Sequence, residues 1–262
     1  ATTEIYTLSL HDALPIWQDS RPSAEVVDAT SWFHVPSRPL RVFQPIGDHD
    51  RVHFRVAGRV DVLRIGLVML QGARHVHIAA LRRAADESGI EVEIHELRKA
   101  SDLAAADPHA IVMPGGESTT MRLTGNDAAS RLLPALFKWI RSDDSRPVLG
   151  TCAGAIILAD PQDGGAPLVD ADIDRNAYGS QADSFQATLE ASLLGRDFPG
   201  VFIRAPRFAA HGDAAEVSAR NGDEIVGVRT GNRLALTFHP ELSADIGFHR
   251  WLLETAAARG GA

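Results

Sequence analysis

Short apolar segments alternate with amphipathic helical segments from residue 62 onward, and this alternation most narrows the choice of fold. Residues 62–70 form an apolar run with one charge, residues 77–88 have the spacing of a helix, and residues 90–94 alternate like a strand. Further short apolar segments lie at 110–113 and 148–150, with an amphipathic helical segment at 132–140. Short apolar strands joined through helices are typical of a parallel sheet covered on both faces. We therefore predict an α/β protein, a three-layer sandwich with a mostly parallel central sheet.

The parts of the chain before residue 62 and after residue 160 differ from this regular alternation of strands and helices. Residues 1–61 show no sustained period of 2 or 3.6, and the opening run through Ile16 resembles translated sequencing-adapter sequence. We interpret residues 1–61 as an N-terminal extension, either spurious or disordered, and residues 62–262 as the domain that carries the chemistry. Beyond residue 160 the strand-like pieces lie at 184–189, 201–204, 224–229 and 234–238, and a last helix is predicted at 244–258.

The composition excludes several classes of protein. A net charge of -8, with acidic and basic residues mixed along the chain, argues against a nucleic-acid partner. The single cysteine leaves no internal disulfide and no thiol cluster for a structural zinc site. Because no run approaches the roughly 20 apolar residues of a membrane span and no export signal opens the chain, we expect a cytoplasmic protein without membrane contact.

The only thiol, Cys152, follows an apolar strand and precedes a helical stretch, with Gly150 and Gly154 two residues away on either side. Glycines at these positions allow the sharp strand-to-helix turn that presents a nucleophile. A lone cysteine is more often a small buried hydrophobic residue, but the flanking glycines favour the nucleophile here. The backbone N–H of Ala153, at the start of the helix, is a candidate donor to an oxyanion.

A base for this thiol is predicted at the end of the apolar segment 234–238, where His239-Pro240-Glu241 follows. In extended chain, residues i and i+2 project to the same side, so Glu241 would bind one imidazole nitrogen while the other faces the thiol. The alternative, a histidine that only ends a strand, is the commoner case for any one of the eleven histidines. Because the Glu241 carboxylate follows two residues after His239, we favour the interpretation of the pair as a general base and the acid that orients it.

A glycine pair, Gly115 and Gly116, follows the segment 110–113 and precedes a helix start. Glycines let backbone amides approach a ligand, so these two residues are further candidates for the oxyanion site. Taken alone, the stretch would be an ordinary turn with Ser118 or Thr119 capping the helix.

Three stretches, GGES at 115–118, GTCAG at 150–154 and FHPE at 238–241, together resemble the class I triad glutamine amidotransferases. Within these, the chain more closely resembles the glutaminase subunits of pyridoxal 5′-phosphate synthase, the PdxT/SNO family. The narrower resemblance is carried by these further stretches: Leu70-Gln71-Gly72, PGGESTT at 114–120, RNAYG at 175–179, DSF at 183–185 and FIRAP at 202–206. It runs from about Arg64 to the C-terminal helix.

The resemblance implies a flavodoxin-like fold and a glutaminase that needs no cofactor and no metal. It implies Cys152 as nucleophile, His239 as base and Glu241 as third triad member. The residues implied to bind L-glutamine are Gly116, Glu117, Ser118, Arg175, Ile203 and Arg204. A free amino acid carries a carboxylate and an ammonium, which suit Arg175 and the acceptors around Glu117. The implied partner is a pyridoxal 5′-phosphate synthase subunit, in a large hetero-oligomer, that receives the ammonia.

The chain departs from the family pattern at two places, and two other functions stay open. Val76-His77 stands where the family has Glu-His, which bears on a partner-facing surface, and the region 160–172 is shorter than expected. One alternative is another triad amidotransferase or a γ-glutamyl hydrolase, against which the RNAYG and IRAP stretches argue. The other is a catalytically silent binding subunit, against which the intact Cys, His and Glu argue.

Overall fold

The computed structural model describes residues 62–72, 74–175 and 184–260. The prediction for residues 1–61, and most of the RNAYG stretch, lie outside these residues. The strands are β1 Leu63–Val68, β2 Val92–Leu97, β3 Ala110–Met113, β4 Val148–Thr151, β5 Ala171–Asp174, β6 Ser184–Ala191, β7 Arg196–Ile203, β8 Arg207–His211, β9 Glu216–Asn221, β10 Glu224–Thr230 and β11 Arg233–Leu236. The helices are α1 Arg74–Ser88, α2 Ala100–Ala106, α3 Ser118–Asn126, α4 Leu132–Arg141, α5 Ala153–Ala159 and α6 Gly247–Gly260. Single 3-10 turns lie at Ser192–Leu194 and Pro240–Leu242.

Within the described residues, nine strands form one mixed sheet in the order β2-β1-β3-β4-β11-β10-β9-β6-β7. The first five strands of this order are parallel to their neighbours. The remaining neighbours pair antiparallel. Strands β5 and β8 form a separate antiparallel pair. All parallel strands therefore end at the same edge of the sheet, which is where ligands bind in open α/β sheets.

Two apolar cores cover the two faces of the sheet, because successive residues of each strand point to opposite sides. In β3, Val112 packs with α1 and α6 on one face, and Ile111 packs with α2, α3, α4 and α5 on the other. In β11, Leu234 and Leu236 point to the first face and Ala235 to the second. Helices on both sides of a sheet make three layers, so the predicted α/β sandwich is confirmed.

Sequence periodicity located most of the sheet. The predicted segments at 110–113 and 148–150 correspond to β3 and β4, and those from 184 to 238 to β6, β7, β10 and β11. Helix α2 and strands β5, β8 and β9 were not predicted. The last helix begins at Gly247 rather than at residue 244, because the Asp245 carboxylate accepts the Gly247 N–H at 2.8 Å and Ser243 is extended. No helix in the part of the chain that the structure describes has both the length and the hydrophobicity to cross a membrane.

Candidate active site

The candidate site lies at the carboxyl edge of the parallel strands. Gln71 follows β1, the glycine pair follows β3, Cys152 follows β4 and His239 lies three residues beyond β11. The backbone N–H of Cys152 donates to the Leu236 carbonyl at 2.8 Å, which joins the ends of β4 and β11. Residues far apart in sequence meet here because neighbouring parallel strands present the same end.

Cys152 occupies the strained turn that its flanking glycines predicted. Its φ of 49° and ψ of -107° are unusual for a residue with a Cβ. A Cβ at Gly154 would lie 2.0 Å from the Met113 carbonyl oxygen, and one at Gly150 would lie 2.6 Å from Leu158. Both positions therefore require glycine, since β3, β4 and α5 pack backbone to backbone around the buried thiol.

His239 lies between Cys152 and Glu241. Nδ1 of His239 is 2.7 Å from Oε1 of Glu241, and the same imidazole and Cys152 both lie against Gly115. Burial lowers the pKa of His239, but the neighbouring Cys152 and Glu241 raise it to about 10. Burial raises the pKa of Glu241, whereas His77 and His239 lower it, and the net shift is well below its ordinary value. Glu241 is thus a buried carboxylate facing imidazoles, the arrangement that stabilises an imidazolium.

Gly115, the first residue of the glycine pair, lies against Cys152 and the imidazole of His239. A Cβ at Gly115 would be 2.6 Å from Cε1 of His239 and 3.3 Å from Cβ of Cys152. Gly116 has a φ of 150°, a conformation that residues with side chains rarely adopt. The Gln71 side-chain oxygen holds this loop by accepting the Glu117 N–H at 2.6 Å. Of the predicted oxyanion residues, Gly115 therefore borders Cys152 and Ala153 follows it in the chain, whereas Gly116 packs against Gln71 and Met121.

Glu117 and Arg175, two of the predicted glutamine-binding residues, lie together at the outer side of the site. A guanidinium nitrogen of Arg175 donates to Thr119 Oγ1 at 2.8 Å and lies 3.8 Å from Oε1 of Glu117. The carboxylate of Glu117 caps α3 by accepting from the N–H groups of Thr119 and Thr120 at 2.9 and 2.6 Å. The helix cap is therefore Glu117, not Ser118 or Thr119. Although burial raises the pKa of Glu117, these hydrogen bonds lower it to about 2.

Further predicted glutamine-binding residues lie at the start of α3 and at the end of β7. Ser118 is buried at the start of α3, directly after Glu117. Ile203 ends β7 and Arg204 follows it with a φ of 44°. Strand β7 reaches the site because the carbonyl of Val201 accepts the backbone N–H of His239 at 2.8 Å. Ile203 and Arg204 thus follow, by two and three residues, the residue that bonds to His239.

Two buried histidines, one next to Glu241 and the other next to the first, were not predicted as part of the site. Nε2 of His77, on α1, lies 3.4 Å from Oε1 of Glu241, and Nδ1 of His77 lies 3.3 Å from Nε2 of His249, on α6. Both histidines are fully buried. At Val76-His77, where the chain departs from the family pattern by Val76 in place of Glu, His77 faces the interior and Val76 is half-buried. The available signal was a histidine among the apolar positions of each helix.

Arg122 is a further buried residue that sequence reasoning missed. Its guanidinium donates to the carbonyl of Pro161 at 2.9 Å and also to that of Asp160. These bonds join α3 to the loop that follows α5, the region predicted to be short. Among residues 62–72, 74–175 and 184–260, no group of three or more His, Cys, Asp or Glu side chains is arranged to hold a metal ion.

Comparison with known proteins decides the family. The model of the SNO glutamine amidotransferase family matches residues 67–258. The chain belongs to this family. A pyridoxal 5′-phosphate synthase subunit PdxT from Thermococcus onnurineus is 42% identical over 206 residues, covering 74% of this chain and 100% of that protein. The PdxT subunit from Methanothermobacter thermautotrophicus is 39% identical over 197 residues, covering 74% of this chain and 96% of that protein.

A solved structure of this kind supports the same assignment. A crystal structure described as a glutamine amidotransferase is 39% identical, with a TM-score of 0.61, and the match covers 74% of this chain and 98% of that one. The described residues of this SNO family member therefore have both the sequence and the fold of glutamine amidotransferases.

Proposed function

We propose that this chain is the glutaminase subunit of a pyridoxal 5′-phosphate synthase, which hydrolyses L-glutamine to L-glutamate and ammonia. The observation that carries the proposal is the order of contacts at the strand edge. Cys152 and the imidazole of His239 both lie against Gly115, and Nδ1 of His239 lies 2.7 Å from Oε1 of Glu241. Nucleophile, base and orienting acid in this order are the arrangement required for acyl transfer.

In the first half of the reaction, the Cys152 thiolate attacks the side-chain carbonyl carbon of glutamine, and the carbonyl oxygen becomes an oxyanion. Backbone N–H groups of Gly115, Gly116 and Ala153 are the proposed donors to that oxygen, since Gly115 lies against Cys152, Gly116 follows it in the same loop and Ala153 follows Cys152 in the chain. The imidazolium of His239 then gives its proton to the departing nitrogen. The C–N bond breaks, ammonia leaves, and a glutamyl thioester remains on Cys152.

In the second half, water attacks the thioester and His239 accepts a proton from it. The C–S bond breaks, glutamate leaves, and the thiolate–imidazolium pair is restored. Glu241 stabilises the imidazolium at both stages, because its buried carboxylate lies against Nδ1.

The charged groups at the outer side of the site suit the amino-acid end of glutamine. Arg175 offers a guanidinium to the substrate carboxylate, and Glu117, anionic because of its low pKa, offers a carboxylate to the ammonium. Gly116, Ser118, Ile203 and Arg204 complete the proposed binding residues. A recognition site of this kind binds the amino-acid end of glutamine, so that the side-chain amide is free to reach the thiol of Cys152.

The partner in this proposal is a synthase subunit that takes up the ammonia. The relatives at 39–42% identity are named subunits of pyridoxal 5′-phosphate synthase, and nearly their whole length matches this chain. We propose a large hetero-oligomer in the cytoplasm, without nucleic acid or membrane. Glutaminase activity would depend on docking, since a partner that completes the oxyanion site couples the two reactions.

The proposal is tested by incubating the chain with a glutamine-mimicking diazoketone, with and without a pyridoxal 5′-phosphate synthase subunit. We expect one adduct, located by mass spectrometry on Cys152, and faster labelling in the presence of the synthase subunit. Ammonia release from glutamine should vanish in Cys152→Ala. The matched control is Ser145→Ala, a small change remote from the thiol, which should label like the unaltered chain.

Either of two results would overturn this function. The first is labelling at a residue other than Cys152. The second is ammonia release that is unaffected by Cys152→Ala, which would leave the chain as a binding subunit without chemistry of its own.

A further inference from the structure

Three buried polar groups lie behind the base, on the side away from the thiol. His77 and His249 are fully buried, and the Glu241 side chain is 2% exposed. Oε1 of Glu241 is approached by two imidazoles, that of His239 at 2.7 Å and that of His77 at 3.4 Å. His77 in turn lies 3.3 Å from His249. The contacts therefore continue from Cys152 through His239 and Glu241 into the core.

The burial of these three polar groups does not favour the stability of the fold. Nε2 of His77, Nδ1 of His249 and Oε2 of Glu241 have no hydrogen-bond partner among the residues that the structure describes. The 3.4 Å separation between His77 and Glu241 is longer than a good N–H···O hydrogen bond. Buried polar atoms without full partners are costly, and apolar residues of similar volume would fill such positions without that cost. A functional role accounts for histidines at both positions.

The neighbours of each histidine strengthen this argument. On α1, His77 shares its face with Ala80, Leu81 and Ala84, all buried in one apolar core. On α6, His249 lies three, four and seven residues before Leu252, Leu253 and Ala256, which are buried in the same core. Each helix thus places one imidazole in an otherwise apolar stripe. The two imidazoles meet, with ring centroids 5.5 Å apart.

The contacts select one tautomer of His77. Only a proton on Nε2 gives Glu241 a donor, and that tautomer leaves Nδ1 to accept from Nε2–H of His249. Burial lowers the pKa of His249 to about 3, so His249 is neutral at pH 7 and carries a single N–H. That N–H, when on Nε2, points along the chain of contacts toward Glu241.

We propose that His77 is a positioning residue for the triad: its Nε2–H holds the Glu241 carboxylate against His239, and His249 holds His77 in the required tautomer. The proposal rests on the proposed function, because it assigns His77 a role in the same reaction. His77 touches neither the thiol nor the substrate, and it acts through Glu241. The contact to Oε1 shortens as charge develops on His239, as catalytic hydrogen bonds often do when substrate is bound.

A pH dependence follows from this role. The titratable groups that face Glu241 in the described residues are His239 on its own segment, His77 on α1 and, one contact further, His249 on α6. The Glu241 carboxylate must be ionised to support the imidazolium of His239. Removing the His77 donor removes a group that favours the ionised form, so the pKa of Glu241 rises. In a plot of Cys152 reactivity against pH, the decrease on the acid side (the acid limb) therefore moves to higher pH.

The test compares His77→Gln with His77→Met, two side chains of the same length and similar volume. Glutamine keeps an N–H near the position of Nε2, and methionine has none. The readout is the rate of Cys152 alkylation by iodoacetamide as a function of pH, which is specific because the chain has one cysteine. In His77→Met we expect the acid limb to move up by roughly one pH unit, and in His77→Gln to stay within about 0.3 unit of the unaltered chain.

Glutaminase assays with the synthase subunit add a second readout. We expect kcat to fall about 10-fold in His77→Met with KM for glutamine within about 2-fold, and kcat to recover to within about 3-fold in His77→Gln. The control is His109→Met, a half-buried histidine elsewhere in the fold, which should leave the alkylation profile unchanged. Thermal unfolding of each variant checks that the chain is folded.

The outcomes separate the two proposals. An alkylation profile in folded His77→Met that matches the unaltered chain overturns the role of His77, whatever the glutaminase result. A shifted profile in a chain that releases no ammonia from glutamine supports His77 and overturns the proposed function. If His77→Met does not fold, His249→Leu replaces it, because leucine matches the neighbouring core. There we expect a smaller shift in the same direction, and no shift overturns the proposal.

Discussion

The two halves of the candidate site differ in their exposure to solvent. The reaction half consists of Cys152, His239 and Glu241, and the side chains of His239 and Glu241 are 13% and 2% exposed. The proposed recognition half includes Arg175 and Glu117, whose side chains are 36% and 54% exposed. Charges interact strongly where water is excluded and weakly where it is not. Substitutions in the reaction half should therefore change rates, and those in the recognition half should change affinity for glutamine.

The largest effect is expected from a substitution of Glu241, in the reaction half of the site. Glu241→Gln should lower kcat for ammonia release about 1000-fold, with KM within about 3-fold, because an amide does not stabilise the imidazolium of His239. The measurement is steady-state kinetics with the synthase subunit present. Glu254→Gln, an exposed change on α6, is the control and should keep normal kcat. A loss confined to KM in Glu241→Gln would remove the distinction between the two halves.

The packing of the reaction half is tested at Gly154. Gly154→Ala should lower the free energy of unfolding by about 3 kcal/mol, because the added Cβ would lie 2.0 Å from a backbone oxygen. Chemical denaturation measures this change. In Gly165→Ala the Cβ would meet only the guanidinium end of Arg141, which can move, so the loss should be below about 1 kcal/mol. Equal losses in the two variants would show that the turn around Cys152 is not tightly packed.

The recognition half is tested at Arg175. Arg175→Met should raise KM for glutamine about 10-fold and leave kcat within about 3-fold, because a charge-assisted hydrogen bond to the substrate carboxylate is lost. Arg175→Lys should recover part of the affinity, since the charge returns without the planar fork. The remote Arg250→Met on α6 serves as the control. Unchanged KM in Arg175→Met would place glutamine recognition elsewhere.

The smallest expected effect is on stability at alkaline pH. The pKa of His239 is raised in the folded chain to about 10, so its stabilising contribution is complete below the unfolded value of about 6.5. That contribution is lost as pH rises toward 10, and the free energy of unfolding should fall by on the order of 1 kcal/mol over this range. Denaturant titrations at pH 7 and 9.5 measure it. The decrease should be smaller in His239→Gln, and an equal decrease would assign the pH dependence to other groups.

Local patterns predicted the parts of the site whose geometry is local. The turn at Cys152 could be predicted because Gly150 and Gly154 are required within a few residues of the thiol. The pairing of His239 with Glu241 followed from their spacing of two residues. The apolar segments predicted the parallel strands for the same reason, since an unbroken apolar run along a short strand indicates burial on both faces. The roles of these residues in catalysis stay predictions.

Contacts between distant segments could not be predicted in this way. His77 lies 172 residues from His249, and only the packing of α1 against α6 brings the two rings together. Similarly, Gln71 reaches Glu117 across 46 residues, and Arg122 reaches Pro161 across 39. No short-range spacing encodes such pairs. The one available signal was a polar residue on an apolar helical face.

The sequence by itself therefore determined the alternation of strands and helices, the sharp turn at the only thiol and the imidazole–carboxylate pair. Each of these depends on the conformations and burial of residues that are close in the chain. The tertiary structure alone decided which strand ends meet, how deeply Glu241 is buried and which imidazoles face it. The physical reason is that burial and electrostatic environment depend on all neighbours in space, and most neighbours of this site come from other strands and helices.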